Sequence, residues 1–256
     1  LELELVGWGA DNESWGLDHK IFMGNPSYQA YGAGVNSVWQ QLDDYLKQSF
    51  EHEAGVRIRI SCALIDSGGH HTTEVYRFAK PRERLHIYAC KGSSQAAQPI
   101  YSISKGKNQA GVRLVYVGTD TAKSVINYWL SQEDPGEPGY CHFKEGLHTE
   151  TYFKQLTAER RQSVFKNGQF VDTWICPEGR RNEALDCRVY ALAALEMRQP
   201  NWAALSQRMQ EAAAANRVRG EVAKAQNKRP QEVTIQQPKP AGRRRYGEVS
   251  KGFIDR

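Results

Sequence analysis

Two apolar runs in this chain break off at residues that end strands and begin turns or helices, and this punctuation constrains the fold more than any other feature. Residues 57–65 read as a strand that stops at Asp66-Ser67-Gly68-Gly69, and residues 112–117 as another that stops at Gly118-Thr119-Asp120-Thr121. A helical pattern follows each, over 72–79 and from 119 to about 130. Thr119 or Asp120 is the expected N-cap of the second helix, since a short side-chain oxygen there accepts an otherwise orphaned backbone N–H. A strand, a turn and a helix repeated in this order predict an α/β domain.

The remaining segments fill in that frame. Leu1-Glu2-Leu3-Glu4-Leu5-Val6 alternates strictly, as a half-buried strand does. Residues 15–23 predict a second strand, 25–36 a Gly/Pro-rich loop, 37–51 a helix and 85–90 a further strand. Residues 133–140 are a Pro/Gly loop and 150–156 a short helix. Residues 161–165 and 170–176 predict a hairpin turned at Asn167-Gly168. A helix over 182–197 is stopped by Pro200, and an Ala-rich helix covers 202–225. From 228 onward Pro, Gln, Lys and Arg dominate without apolar period, which reads as disorder. The expected organisation is a mixed sheet flanked by helices over residues 1–200, followed by a helical extension and basic tail over 201–256.

Charge divides at the same place. The net charge is +5 over 256 residues. Residues 217–256 hold eleven Lys and Arg against four acids, so that end is strongly basic while the body is nearly neutral. Such a tail suits phosphates or an acidic protein surface, and suits solubility equally well. No apolar run approaches the roughly 18 residues of a membrane span, and no secretory signal pattern opens the chain. The five cysteines, Cys62, Cys90, Cys141, Cys176 and Cys187, form no CxxC pair and sit largely in apolar contexts. They read as buried thiols and not as a disulfide framework or zinc site.

Several chemistries lack their motifs. There is no GxxxxGK[ST], no GxGxxG and no HExxH, and Ser104-Lys105-Gly106-Lys107 has the wrong spacing for a phosphate-cradling loop. Two acids stand out instead. Asp66 closes an apolar strand beside two glycines, a position suited to holding a metal at a sheet edge; an Asx turn is the ordinary alternative. Asp186 lies beside the apolar stripe of Leu185, Val189 and Leu192, and an acid in a first helical turn also suits the helix dipole. Glu183 sits near it on the helix and is a weaker, outer candidate. Carboxylate oxygens are the ligands Mg²⁺ and Mn²⁺ prefer.

At these residues the chain resembles the C-terminal nuclease region of the large terminase subunit of lambda-like tailed phages. The matching stretches are Leu1-Glu2-Leu3-Glu4-Leu5-Val6-Gly7-Trp8-Gly9, Ile65-Asp66-Ser67-Gly68-Gly69-His70, Val75-Tyr76-Arg77-Phe78, Val117-Gly118-Thr119-Asp120-Thr121-Ala122-Lys123, and Gly179-Arg180-Arg181-Asn182-Glu183-Ala184-Leu185-Asp186. They run in family order to about residue 200. The resemblance implies an RNase H-like fold and an endonuclease that uses two Mg²⁺ or Mn²⁺ ions to cut concatemeric double-stranded DNA in the host cytoplasm. It makes Asp66 and Asp186 metal ligands, with Glu183 beside them. Another acid is expected on a strand just before the segment matching Leu1-to-Gly9, and an ATPase motor before that. Arg180, Arg181 and Lys123 are the candidate DNA contacts. Arg243, Arg244 and Arg245 are candidates for docking on the procapsid portal, and the rest of the terminase holoenzyme is the other implied partner. The competing expectations are a non-catalytic DNA- or portal-binding module and another RNase H-like enzyme, such as a resolvase or transposase.

Overall fold

A computed structural model of the chain describes residues 1–27, 37–93, 97–166 and 168–227. Residues Leu1–Ala213 form one compact unit and Ala214–Arg256 a second. The expected basic tail from 228 on, including Arg243, Arg244 and Arg245, lies outside the described residues.

The first unit is mixed α/β. Strand β1 (Glu2–Trp8) runs antiparallel to β2 (Ser14–Ile21), with Glu2 opposite Ile21 and Trp8 opposite Ser14. The alternation of Leu and Glu predicted β1 directly. Helix α1 (Val38–Leu46) is shorter than the sequence suggests; its N-cap is Ser37, whose hydroxyl accepts the Gln40 N–H at 3.2 Å. The expected long helix stops there because the next segment pairs elsewhere: β3 (Ser49–Glu51) lies antiparallel to β4 (Arg57–Arg59). The expected strand over 57–65 is therefore two strands. All three residues of β4 are exposed, and only β5 (Ala63–Asp66) enters the central sheet.

That sheet has the order β5, β6 (Ile87–Ser93), β8 (Val115–Gly118), β7 (Tyr101–Ile103). β5, β6 and β8 are parallel, while β7 runs antiparallel to β8 at the edge. Helix α2 (Thr72–Ala79) follows β5 and packs against β5 and β6. Helix α3 (Thr119–Leu130) follows β8. Its N-cap is Gly118, and neither Thr119 nor Asp120 caps it. Their side chains serve other elements: the Thr119 hydroxyl donates to Ser93 O at 3.1 Å, and Asp120 accepts from the Thr173 hydroxyl at 3.2 Å. The short β9 (Cys141–Phe143) adds in parallel to β2. Helix α4 (Glu150–Leu156) has Thr149 as its N-cap.

β10 (Arg160–Lys166) and β11 (Gln169–Ile175) form the expected hairpin, with Lys166 opposite Gln169 across the turn. Gly168, at φ +82°, takes the left-handed conformation that such a two-residue turn requires. Helix α5 (Glu183–Arg198) buries Ala184, Leu185, Val189, Leu192 and Ala193 at helical spacing. It packs on both β1 and β5 and so joins the antiparallel and parallel sheets. Trp202–Asn227 forms the last described helix, α6. Among the described residues, no helix is long and apolar enough to cross a membrane.

Candidate active site

Among the charged residues of helix α5, Asp186 and Arg188 are of opposite sign and two positions apart. Two residues apart on an α-helix is a rotation of about 200°, so the two side chains leave on opposite faces. Each is met by a different ionic cluster.

On one face lies Asp186, with its side chain 39% exposed. The ammonium of Lys123, from α3, sits 3.7 Å from Asp186 Oδ1 and 2.7 Å from Glu159 Oε1. Asn182 Nδ2 donates to both acids, at 2.6 Å to Glu159 and 3.2 Å to Asp186. Asn182 is the N-cap residue of α5, yet its side chain makes no cap hydrogen bond. It bridges the two carboxylates instead. A cavity of about 70 Å³ opens beside the cluster, with Lys123, Glu159, Trp174 and Leu185 in its wall.

Asp66 ends β5 at the carboxyl edge of the parallel strands, where its backbone pairs with Cys90. Its Oδ1 accepts the Gly68 N–H at 2.9 Å, so the Asx turn that sequence offered as an alternative does form. It does not remove the residue from the site: Asp66 is exposed, and its charge acts on Asp186. Burial raises the Asp186 pKa above its ordinary value; Lys123 opposes this, while Glu159 and Asp66 add to it. Tyr190, one turn after Asp186, feels the same two acids. Its phenol is pushed strongly upward by burial first, then by Cys90, Asp66 and Asp186. Of the two acids singled out in the sequence, Asp66 thus ends β5 and Asp186 stands in the first turn of α5, the helix that packs on β5.

The other predicted residues take different positions. Lys123 faces inward, 8% exposed and ion-paired, with its charge committed to Glu159 and Asp186. Arg180 is exposed on the turn before α5. Arg181 is 61% exposed and reaches Glu2 at 3.1 Å and Glu183 at 3.0 Å. Burial disfavours the Glu183 carboxylate, but the Arg181 hydrogen bond and charge and the backbone N–H groups at the start of α5 outweigh it and lower its pKa. Glu183 is therefore engaged by Arg181 and stands at the rim.

On the opposite face of α5, Arg188 is 2% exposed and pairs at 2.7 Å with Glu4 of β1, which is 0% exposed. Tyr152 donates to Glu4 Oε1 at 2.8 Å. Glu4 Oε2, Arg188 Nε and Nη1, and His148 Nε2 are buried without a hydrogen-bond partner. Burial raises the Glu4 pKa despite Arg188, and burial lowers that of His148. Gly16 is required beside this cluster, because a Cβ there would lie 2.6 Å from the His148 ring.

The family model for the terminase large subunit gpA endonuclease domain matches residues 1–209. The chain belongs to this family. Among relatives, it is 34% identical over 206 residues to the terminase large subunit of Escherichia phage lambda. It is 31% identical over 208 residues to that of Enterobacteria phage P21. In both cases the match covers 78% of this chain and 31% of the relative, so the chain spans about a third of the length of these proteins. No solved structure matches it.

Within this endonuclease-domain family, the geometry adds two residues that sequence reasoning missed. Glu159 precedes β10 in the charged run Glu159-Arg160-Arg161, which reads as a solvated surface. Its side chain is nevertheless only 3% exposed. Asn182 looks like an ordinary helix start. No local signal distinguishes either, because their roles depend on α3 and α5 coming together. Asp66 and Asp186 also fit a hard cation chemically, since Mg²⁺ is often held by one or two carboxylates and keeps several waters. Among the described residues, no group of three or more Asp, Glu, His or Cys converges to make a fuller metal cage.

Proposed function

We propose that this chain is the divalent-metal-dependent endonuclease domain of a terminase large subunit. In this reading it is RNase H-like and cuts concatemeric double-stranded DNA during packaging in the host cytoplasm. The observation that carries the reading is the placement of Asp66 at the end of β5 and of Asp186 on the late helix α5, which packs on β5, in a chain of this family. The parallel β5, β6 and β8 beside the antiparallel β1 and β2, with α5 across both, support the RNase H-like assignment.

Asp66 and Asp186 would hold Mg²⁺ or Mn²⁺, which supplies polarisation of the scissile phosphate and activation of water. A two-ion site would need a further carboxylate beyond Asp66 and Asp186. Lys123 and Asn182 fix the orientation of the Asp186 carboxylate, and Glu159 balances the charge of Lys123. Lys123 would then act on the site from inside and not as a DNA contact. Arg180, exposed beside the site, binds backbone phosphate, and Arg181 adds to this from the rim. Glu183 tethers Arg181. The basic end with Arg243, Arg244 and Arg245 docks on the portal, and the remainder of the terminase supplies the motor.

The test uses the longest polypeptide that carries this chain. It should nick plasmid DNA with Mg²⁺ or Mn²⁺, and Asp66→Ala and Asp186→Ala should each lower nicking by at least about 100-fold with unchanged melting. Full activity in either variant overturns the site. DNA or portal binding by the long polypeptide without metal-dependent nicking favours a non-catalytic binding module instead.

A further inference from the structure

The β10–β11 ribbon ends in two large apolar side chains that the fold leaves uncovered. Phe165 is 65% exposed and Phe170 is 76% exposed. They are cross-strand partners and form an edge-to-face pair, with ring centroids 5.2 Å apart. The base of the ribbon is fixed. Thr173 donates to Asp120, and Trp174 Nε1 donates to Ser124 Oγ, both at 3.2 Å and both on α3. Both roots of the ribbon also lead to the candidate site. Glu159 immediately precedes β10, and the chain leaving β11 runs through Arg180 and Arg181 to Asp186. Seven residues per strand at about 3.3 Å each make an arm on the order of 20 Å long, close to the width of a DNA duplex.

We infer that this ribbon is a DNA-engaging arm whose Phe165–Phe170 pair wedges into the duplex at a base step near the point of cutting. The inference deepens the endonuclease reading and takes its substrate class from it. Charge supports the choice of partner: residues 160–175 contain Arg160, Arg161 and Lys166 against the single acid Asp172. Area supports it further. A stable protein partner needs roughly 1,000 Å² of buried surface, whereas two Phe rings bury at most about 150–250 Å² each. A wedge needs far less, because inserted Phe side chains act by unstacking a step and kinking the duplex. A two-stranded ribbon is also slim enough to enter a groove.

The experiment measures binding of the same long polypeptide to a short duplex carrying 2-aminopurine, without divalent metal. Wild type should raise the probe's fluorescence as the base unstacks. Phe165→Ser/Phe170→Ser should lose that rise and bind about tenfold more weakly, with an unchanged salt slope and melting temperature. Arg160→Gln/Arg161→Gln should keep the fluorescence rise and show a shallower salt slope. Equal fluorescence and affinity in the Phe variant overturn the wedge, as does wild-type protein that leaves the probe unchanged. Self-association of wild type that the Phe substitutions abolish also overturns it, in favour of contact with a second copy. Asp186→Ala separates the two readings: it should leave the fluorescence rise intact whether or not it abolishes nicking.

Discussion

The two faces of helix α5 hold clusters built from the same groups, a carboxylate against a Lys or Arg, yet their surroundings differ. The Glu4–Arg188 pair is sealed, with exposures of 0% and 2%. Around Asp186 the carboxylate keeps 39% exposure, and its cation, Lys123, is shared with Glu159. A sealed pair cannot exchange partners without breaking the core, so it fixes α5 against β1. A half-open acid can accept a new cation from solvent while its old one remains paired with Glu159. Burial, and not residue type, separates the fastening from the candidate site.

The largest expected effect is on the sealed side. Arg188→Met strands a buried Glu4 carboxylate and should cost about 3–5 kcal/mol in urea unfolding, and Glu4→Gln/Arg188→Met should recover much of it. A cost under about 1 kcal/mol would erase the contrast. On the Asp186 side Lys123→Met leaves Glu159 buried without a cation, but Asn182 still donates to it, and the cost should be less, about 1–3 kcal/mol. A loss as large as that of Arg188→Met would show that both clusters are fastenings.

The smallest effect is the sharpest test, because His148 on one face and Asp186 on the other should respond to acid with opposite sign. His148, on the sealed side, has a folded pKa below its ordinary 6.5. Its contribution is complete above that value and is lost as pH falls through the folded pKa. Asp186 has a folded pKa above its ordinary 3.8. Its proton-linked contribution is present below that value and is lost as pH rises through the folded pKa. Melting curves should therefore show His148→Gln flattening the loss between pH 7 and 5. Asp186→Asn should flatten the slope nearer pH 4, each by less than about 1.4 kcal/mol per pH unit. Identical shifts in both variants would dissolve the distinction.

Much of the frame was legible because it depends on local pattern. The alternating Leu1-to-Val6 run became β1, the two runs expected as a hairpin became the paired β10 and β11, and the stripe of Leu185, Val189 and Leu192 became the buried face of α5. The errors arose where a segment's partner is distant. Residues 57–65 look continuous, yet Arg57–Arg59 pairs with Ser49–Glu51 and leaves the central sheet. Thr119 and Asp120 have the chemistry of caps, but β6 and β11 take their side chains.

By itself the sequence determined the α/β class and the order of most elements, and it singled out two acids as candidates, because period, turn chemistry and strand-end position are local properties. Tertiary structure alone decided that Lys123 points inward, that Glu159 is buried beside it, and that Glu4 and Arg188 close the far side of the same helix. Those assignments depend on how far each charge is removed from water and on which charge faces it. Both are set by elements up to 184 residues apart along the chain, as Glu4 and Arg188 are.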